Sequence, residues 1–356
     1  KKTINGAEAL IKCLENKDIS YIFGYPGGAA IPIFDAIFDS TLELILVRHE
    51  QGATHMADGY ARATGKPGVV LVTSGPGATN TVTGLLTAQM DSVPMIVLTG
   101  QTNTTVLGKD AFQEADVFGI TAPTVKHSYL VRETNDIPRI VEEAFYIATT
   151  GRPGPVLIDL PKNVTSALCE SPITNIDIDL PGYTFPKQGN ITTIKKMAAV
   201  LNTAKKPVIL AGHGVIISKA SDVLVKFAKK IKAPVTTTLL GLGGFPATDD
   251  LSLGFMGMHG TAYANMAVRD CDLIFSIGSR WDDRITPAKI EQFCPNAKKL
   301  HVDIDNAEIN KILVPDVHVV GDAKLVLEEL IKHVNPLDTE EWLKKVAINK
   351  KKYPLS

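Results

Sequence analysis

Short apolar runs alternate with longer amphipathic stretches from one end of the chain to the other, and this alternation predicts an α/β protein. The runs are largely unbroken in Val, Ile and Leu, which is typical of parallel strands covered by helices on both faces. The expected fold class is therefore α/β, with two three-layer domains that are each built on a parallel sheet. Ten strands are predicted, at Tyr21–Phe23, Leu42–Val47, Gly68–Thr73, Met95–Thr99, Val156–Asp159, Val208–Ala211, Val235–Thr237, Leu273–Ile277, Lys299–Ile304 and Val317–Val320.

The alternation lapses between Ala167 and Asn190, where the chain becomes polar and gains prolines, as linkers do. We predict a first domain over residues 1–166, a linker over 167–190 and a second α/β domain over 191–334. The second domain is predicted to end in a helix at Ala323–His333. Residues 335–356 are basic and contain no further core-forming run, so we expect a solvated helix and a linker there.

Loops rich in glycine and proline follow several predicted strands, at Gly24–Gly28, Ser74–Gly77 and Ala211–Gly214. Ligands of open α/β sheets bind outside the carboxyl ends of the strands. A glycine turn before a helix also exposes N–H groups that suit a phosphate or diphosphate. The loops at Gly75–Gly77 and Gly212–Gly214 both lack the third glycine of the dinucleotide motif, so the standard hydride-transfer fingerprint is absent. Taken singly, each loop is explained equally well as a tight turn of the fold.

Composition and charge narrow the class of protein further. The 356 residues carry a net charge of −1, which argues against nucleic acid and anionic membranes as partners. No apolar run reaches the ~18–20 residues of a membrane span, and no signal-peptide block opens the chain. Four widely spaced cysteines indicate small core residues in a reduced compartment rather than a zinc or disulfide framework. The expected location is the cytoplasm, with a plastid or mitochondrion as the alternative if a transit peptide has been removed.

Glu50 is the first candidate for chemistry, because it stands between a predicted strand and a helix predicted at Gln51–Thr64. A glutamate at a helix start is usually a surface residue that interacts with the helix dipole. Here the helix carries Ala, Gly and Met around much of its circumference, which indicates burial, in one interpretation between subunits. A carboxyl group in such a water-poor place can hold a proton near neutrality.

Several motifs together resemble a known family. Three segments resemble the pyrimidine-binding domain of thiamine-diphosphate enzymes: Phe23–Gly28, Arg48–Ala53 with Ala57–Arg62, and Thr73–Asn80. Four further segments resemble one member of those enzymes, acetohydroxyacid synthase: Gly108–Glu114, Gly151–Pro155, Pro161–Lys162 and Gly278–Arg284. The resemblance covers essentially the whole chain, and it implies a pyrimidine-binding domain followed by a Rossmann-like FAD-binding central domain.

The resemblance implies a thiamine-diphosphate-dependent condensation of pyruvate with pyruvate or 2-ketobutyrate, with loss of carbon dioxide, in branched-chain amino-acid biosynthesis. Glu50 would exchange a proton with the aminopyrimidine of the cofactor. The implied contacts of the cofactor are Tyr25, Pro26, Gly27, Gly28, Glu50, Thr73, Pro76, Asn80 and Gln113. The implied catalytic residues are Glu50, Gln113 and Lys162, and the implied substrate contacts are Phe112, Lys162 and Arg284. Taken alone, Phe112 would more often be a core residue and Lys162 a solvated surface lysine.

The resemblance also implies a structural, non-redox FAD. Its implied contacts are Arg152, Gly212, His213, Gly214, Thr238, Leu239, Leu240, His259, Gly278, Arg280, Asp282, Arg284, Asp303, Ile304, Gly321 and Asp322. Any one of them could be a structural turn or surface pair. The arginines Arg152, Arg280 and Arg284, occurring together in this order, favour the flavin.

In the family, a Gly-Asp-Gly motif followed by Asn holds Mg²⁺ and the cofactor's diphosphate, and this sequence contains no such motif. We therefore expect the chain to be the first two parts of a three-domain enzyme and to be inactive alone. The family further implies a homodimer or homotetramer and a small regulatory subunit. The alternatives are a catabolic acetolactate synthase, a relative of pyruvate oxidase or decarboxylase, and, from another class, a non-catalytic FAD-binding module.

Overall fold

The computed structural model describes residues 3–174, 176–287 and 289–355. It contains two compact units, and the division falls between Tyr183 and Thr184, inside the polar stretch of the sequence. The side chain of Tyr183 belongs to the first unit, because its hydroxyl accepts a hydrogen bond from Lys126 Nζ at 2.9 Å. The domain and linker boundaries given above stay predictions.

The first unit contains a central sheet with helices on both faces. Its strands are β1 Ile4–Asn5, β2 Tyr21–Gly24, β3 Glu43–Leu46, β4 Gly68–Val72, β5 Met95–Gln101, β6 His127–Leu130, β7 Pro155–Pro161 and β8 Leu168–Cys169. Its helices are α1 Gly6–Glu15, α2 Ile31–Phe38, α3 Glu50–Thr64, α4 Pro76–Thr79, α5 Val82–Asp91, α6 Val117–Thr121, α7 Ile137–Thr149 and α8 Lys162–Ser166. Six strands form one parallel sheet in the order β3-β2-β4-β5-β7-β6, and β1 pairs antiparallel with β8.

The second unit repeats this layered arrangement. Its strands are β9 Pro207–Ala211, β10 Val235–Thr237, β11 Ser252–Phe255, β12 Leu273–Ile277, β13 Lys298–Asp303 and β14 Val317–Val320. Its helices are α9 Ile191–Leu201, α10 His213–Ile217, α11 Ser221–Ile231, α12 Ala262–Asp270, α13 Ala323–Leu330 and α14 Glu340–Lys352. The six strands form a parallel sheet in the order β11-β10-β9-β12-β13-β14.

Local sequence signals explain where key helices begin and end. The side chain of Asn5 accepts from the Glu8 backbone N–H at 2.8 Å, and Glu8 Oε2 accepts from the Asn5 N–H at 2.8 Å. This reciprocal capping box fixes the start of α1. Helix α3 starts after His49, whose ring accepts from the Gln51 N–H, and stops at Gly65, which adopts a left-handed φ of 72°. The capped start fixes the place of Glu50 as the first residue of α3.

All ten predicted strands are present, with ends that differ from the prediction by at most a few residues. The α/β fold class with two parallel sheets is therefore confirmed. Sequence patterning missed β1, β6, β8 and β11. Strands β1 and β8 are only two residues long. Strands β6 and β11 lie at sheet edges, where the strand is less apolar and its hydrophobic signal is weaker.

The expectation that residues 335–356 add nothing to a core is wrong. Helix α14 buries Trp342 and Val346, which are 4% and 5% exposed, in the apolar cluster on one face of the second sheet. The indole Nε1 of Trp342 also donates to the Pro207 carbonyl at 3.1 Å. Two apolar side chains one helical turn apart are a weak signal in a lysine-rich segment, which is why the sequence pattern missed them. All four cysteines are free and buried, as predicted for core residues.

Candidate functional site

The first sheet has a topological switch point between β2 and β4. The chain leaves β2 for β3 on one side and later enters β4 on the other side, so the connections diverge at the carboxyl ends of this pair. A crevice forms at such a point and is the usual ligand site of open α/β sheets. The predicted cofactor residues Tyr25–Gly28 follow β2, and the predicted cofactor residues Thr73 and Pro76 follow β4.

Glu50 lies at this edge and is held by the side chain of Asn80, which ends the short helix α4 after β4. Its side chain is largely buried, and Oε2 accepts a hydrogen bond from Asn80 Nδ2 at 2.9 Å. Gly77 lies beside the other carboxylate oxygen, since a Cβ built on that glycine would be 3.5 Å from Glu50 Oε1. The fold thus brings together Glu50, Gly77 and Asn80, three residues of the predicted cofactor motifs.

Thr73 adds an unpaired polar group to the same edge. Its Oγ1 is buried and has no hydrogen-bond partner within the described residues. Buried hydroxyl groups are nearly always paired, so one left unpaired at a ligand edge is suited to a group that a ligand would supply. The combination of a buried carboxyl, an amide and a free hydroxyl fits the polar rim of an aminopyrimidine.

The loop that carries Phe112 and Gln113 packs against the glycine turn after β4. Gly75 has φ 56°, and a Cβ there would lie 2.6 Å from the Gln113 carbonyl oxygen, so no larger residue fits. Gln113 is itself left-handed, with φ 55°. The side chain of Glu114 accepts backbone N–H groups of Ala111 and Gly108, which hold its pKa below the usual range. Gln113 therefore lies beside the turn after β4, on a tightly folded loop.

Phe112 and Lys162 are placed less tightly. The Phe112 ring is 86% exposed at the tip of the loop. Lys162 begins α8 directly after β7 and is exposed. In the part of the chain that the structure describes, no hydrogen bond or ion pair joins either side chain to Glu50. Both lie on elements at the carboxyl edge of the sheet, and their substrate roles stay predictions.

The second sheet has its own switch point, between β9 and β12. Here the backbones of two glycine loops pack directly on each other. The Gly212 N–H donates to the Ile277 carbonyl at 2.9 Å, and the Gly214 N–H donates to the Gly278 carbonyl at 3.1 Å. A Cβ on Gly212 would lie 2.0 Å from the Gly278 carbonyl oxygen. This close approach requires glycine on both loops.

The remaining predicted flavin residues of the second unit follow the carboxyl ends of its strands. They are His213 and Gly214 after β9, Thr238, Leu239 and Leu240 after β10, His259 after β11, Arg280, Asp282 and Arg284 after β12, Asp303 and Ile304 at the end of β13, and Gly321 and Asp322 after β14. All therefore lie at one edge of one sheet. Arg152 is in the first unit, where its Nε donates to Ser92 Oγ at 2.8 Å.

Several of these residues also form local hydrogen bonds that stabilise the loops. Asp282 Oδ1 accepts the Arg284 N–H at 3.0 Å, and Asp282 Oδ2 lies 3.9 Å from Arg280 Nη2. Asp322 caps α13 by accepting the Leu325 N–H at 3.1 Å. Two further hydroxyl groups, Thr237 Oγ1 and Ser279 Oγ, are buried at the same edge without a partner within the described residues. Sequence reasoning did not single these two out, and their only signal is a hydroxyl where a strand ends.

His301 is a second residue that sequence reasoning missed. It lies in β13, is 1% exposed, and its Nε2 is 2.9 Å from the Ser279 carbonyl, so that nitrogen carries the proton. Its Nδ1 has no partner within the described residues. Burial lowers the pKa of His301 to about 4. The neutral ring ties β13 to the loop that follows β12.

Acid is expected to destabilise the second unit through His301. Between pH about 4 and 6.5 the unfolded chain binds the proton and the folded ring does not, so stability falls as pH drops through this window. From pH 7 to 5 the loss is about 2 kcal/mol. Urea unfolding of the wild-type chain and His301→Gln at both pH values measures it. An equal pH dependence in both would contradict the assignment.

Within 3–174, 176–287 and 289–355, no group of three or more His, Cys, Asp or Glu side chains is arranged to hold a metal ion. Over the same ranges, no helix is both long and apolar enough to cross a bilayer.

Comparison with known proteins agrees with this geometry. The family profile of the N-terminal TPP binding domain of thiamine pyrophosphate enzymes matches residues 4–120, and the profile of their central domain matches residues 194–330. The two matches contain the two switch points described above. The chain belongs to the thiamine pyrophosphate enzyme family.

Within that family the chain is similar to acetolactate synthase large subunits. It is 53% identical over 92% of its length to the one of Buchnera aphidicola subsp. Schizaphis graminum, and 47% identical over 97% to that of Haemophilus influenzae. The probable acetolactate synthase large subunit of Methanocaldococcus jannaschii is 50% identical over 98%. The aligned region covers 58%, 61% and 60% of these relatives, respectively, so the chain spans about three fifths of their length.

Proposed function

We propose that this chain forms the pyrimidine-binding and flavin-binding parts of an acetolactate synthase large subunit. The activity is the condensation of pyruvate with pyruvate or 2-ketobutyrate, with loss of carbon dioxide, in branched-chain amino-acid biosynthesis. The observation that carries the proposal is the Glu50–Asn80 pair at the first switch point. Relatives that are 47–53% identical and are named for this activity support it.

Thiamine diphosphate, when bound, supplies a carbon nucleophile that adds to the ketone of a 2-ketoacid. Glu50 holds or releases a proton at the aminopyrimidine ring, and Asn80 orients its carboxyl group. Thr73 offers its free hydroxyl to the same ring.

The substrate side of the proposal rests on Phe112, Gln113 and Lys162. A cation beside a ketoacid carboxylate makes a charge-assisted contact, which Lys162 can provide from the start of α8. Gln113 contributes an amide from the loop packed on Gly75. Mg²⁺ and the ligands for the diphosphate belong to the proposed whole protein. The activity is tested by assaying acetolactate formation from pyruvate by the native protein, with thiamine diphosphate, Mg²⁺ and FAD added. Absence of product would overturn the proposal.

FAD binding at the second switch point is part of the same proposal. The turns at Gly212 and Gly278 would lie beside the diphosphate, Arg280 and Arg284 would neutralise it, and the hydroxyls of Thr237 and Ser279 would offer further contacts. The flavin acts as a structural group, without a change in its redox state during the reaction. The oligomer, the small regulatory subunit and the cytoplasmic location expected above remain proposals.

Flavin retention gives a direct test of the second site. After incubation with FAD and removal of free ligand, the chain is expected to keep visible flavin absorbance at about one flavin per chain. Arg280→Ala with Arg284→Ala should weaken this binding, because two charge-assisted contacts to the diphosphate are lost. Lys205→Ala with Lys206→Ala, at the opposite end of β9, is the matched control for lost charge. Absence of flavin in the wild-type chain would contradict the flavin site.

A further inference from the structure

A buried carboxyl group lies in the first sheet, outside the set of residues assigned above. Asp159 is in β7, every residue of which is buried, and is itself 2% exposed. It lies opposite Thr99 of β5 in the sheet register. Thr99 Oγ1 donates to Asp159 Oδ1 at 2.7 Å, and Gln101 Nε2 donates to Asp159 Oδ2 at 2.9 Å. An ionisable group is costly in such a place unless its hydrogen bonds serve the fold or the site.

The Gln101 side chain connects this carboxyl group to both ends of one loop. Its Oε1 accepts the Thr102 N–H at 2.8 Å, where the loop begins, and its Nε2 also donates to the Ala115 carbonyl at 3.0 Å, where the loop ends. The side chain is 2% exposed. Both amide hydrogens and the amide oxygen are thus in use, and the loop of residues 102–115 is clamped at its base.

Asp159 acts together with the Ala115 carbonyl and the Thr102 N–H to fix which way round the Gln101 amide lies. An acceptor at Asp159 Oδ2 requires the NH₂ end of the amide to point toward β7, and this leaves Oε1 for the Thr102 N–H. If the amide were reversed, Oε1 would face both a carboxylate and the Ala115 carbonyl, and two acceptors would be left without donors. Asp159 therefore anchors the clamp in the sheet, although it does not touch the loop itself.

We propose that Asp159 is a positioning residue which, through Gln101, holds the loop that presents Phe112 and Gln113 to the thiamine-diphosphate site. The consequence for substrate rests on the proposed function, whereas the clamp itself does not. Loss of the clamp lets the loop open and weakens binding of the 2-ketoacid more than it affects the chemistry at the cofactor, because Glu50 and Asn80 lie on other elements.

The protonation state of Asp159 does not break the network. Burial raises the pKa of Asp159 to about 7, with hydrogen bonds from Thr99 and Gln101 acting in the opposite sense and the charge of Asp116 adding to the rise. A hydroxyl can donate or accept, so Thr99 Oγ1 can accept a hydrogen bond from the protonated Oδ1 of Asp159 while Gln101 still donates to Oδ2. Asn, which has the shape of the neutral acid, can make the same two contacts.

The experiment compares Asp159→Ala, which removes both contacts, with Asp159→Asn, which keeps them, in the native protein that contains this chain. Gln101→Met breaks the clamp from its other side and is informative if Asp159→Ala does not fold. Ser128→Ala is the matched control, since it removes a buried hydroxyl of the neighbouring β6 that bonds Thr121 rather than Gln101.

Amide hydrogen exchange over residues 102–116 is the first readout, and the KM and kcat for pyruvate are the second. Asp159→Ala and Gln101→Met should speed exchange in this loop about tenfold, the effect of one lost hydrogen bond, and raise KM by a similar factor with kcat changed by less than about threefold. Asp159→Asn and Ser128→Ala should leave both unchanged. Unchanged exchange in a folded Asp159→Ala or Gln101→Met protein overturns the proposal, as does an Asn variant that behaves like Ala. If the wild-type protein has no activity on pyruvate, the proposed function is rejected, whereas the hydrogen-exchange result still tests whether Asp159 and Gln101 hold the loop.

Discussion

Replacing Glu50 by Gln is expected to lower the turnover of the native protein by roughly 10²–10⁴-fold, the range for a lost acid–base group. Glutamine keeps the length of the side chain and an oxygen that can still accept from Asn80 Nδ2. It cannot hold or release a proton near neutral pH. The change therefore removes the proton exchange with the aminopyrimidine while it preserves the hydrogen bond and the packing against Gly77.

Steady-state kinetics with pyruvate, together with a titration of thiamine diphosphate, measures the effect. Cofactor binding should fall much less than turnover, because the amide still forms a hydrogen bond. Glu43→Gln, the same substitution at an exposed position of the edge strand β3, should have near-normal turnover. Near-normal activity of the Glu50 variant would remove that residue from the mechanism.

Replacing Gly212 by Ala is expected to have the second largest effect, a loss of about 3 kcal/mol of stability with loss of flavin retention. The new Cβ would lie 2.0 Å from the Gly278 carbonyl oxygen and 2.6 Å from its carbon. These are backbone atoms at the end of β12, in the centre of the sheet, so they cannot move aside as a flexible side chain could. The turn after β9 must open, and the backbone proposed to lie beside the diphosphate shifts with it.

Urea unfolding and flavin absorbance measure the two parts of this prediction. Gly59→Ala is the matched control, because it makes the same chemical change inside α3, where the new Cβ would meet no described atom within 4 Å beyond its chain neighbours and the nearby backbone of its own helix. Alanine is the better helix former, so this control should be neutral or slightly stabilising. A Gly212 variant with wild-type stability and full flavin retention would show that the backbone contact is not required.

Much of the candidate site was predictable because its residues stand in turns that follow strands. Glycine and proline punctuation marks such turns locally, and parallel strands place all of their carboxyl ends at one edge. Glu50 could be predicted at a helix start for the same reason. Its contact with Asn80 could not, since that pair depends on the packing of α3 beside the turn after β4.

The sequence alone determined the α/β class, the ten central strands and the family motifs, since each depends on short-range patterns of side-chain type. Only the tertiary structure decided the strand order, and with it the two switch points between β2 and β4 and between β9 and β12. It also decided the Asp159–Gln101 clamp, the buried His301, and the burial of Trp342 in a basic helix. These features are set by contacts between residues distant in the chain, and local periodicity carries no information about which distant residues meet.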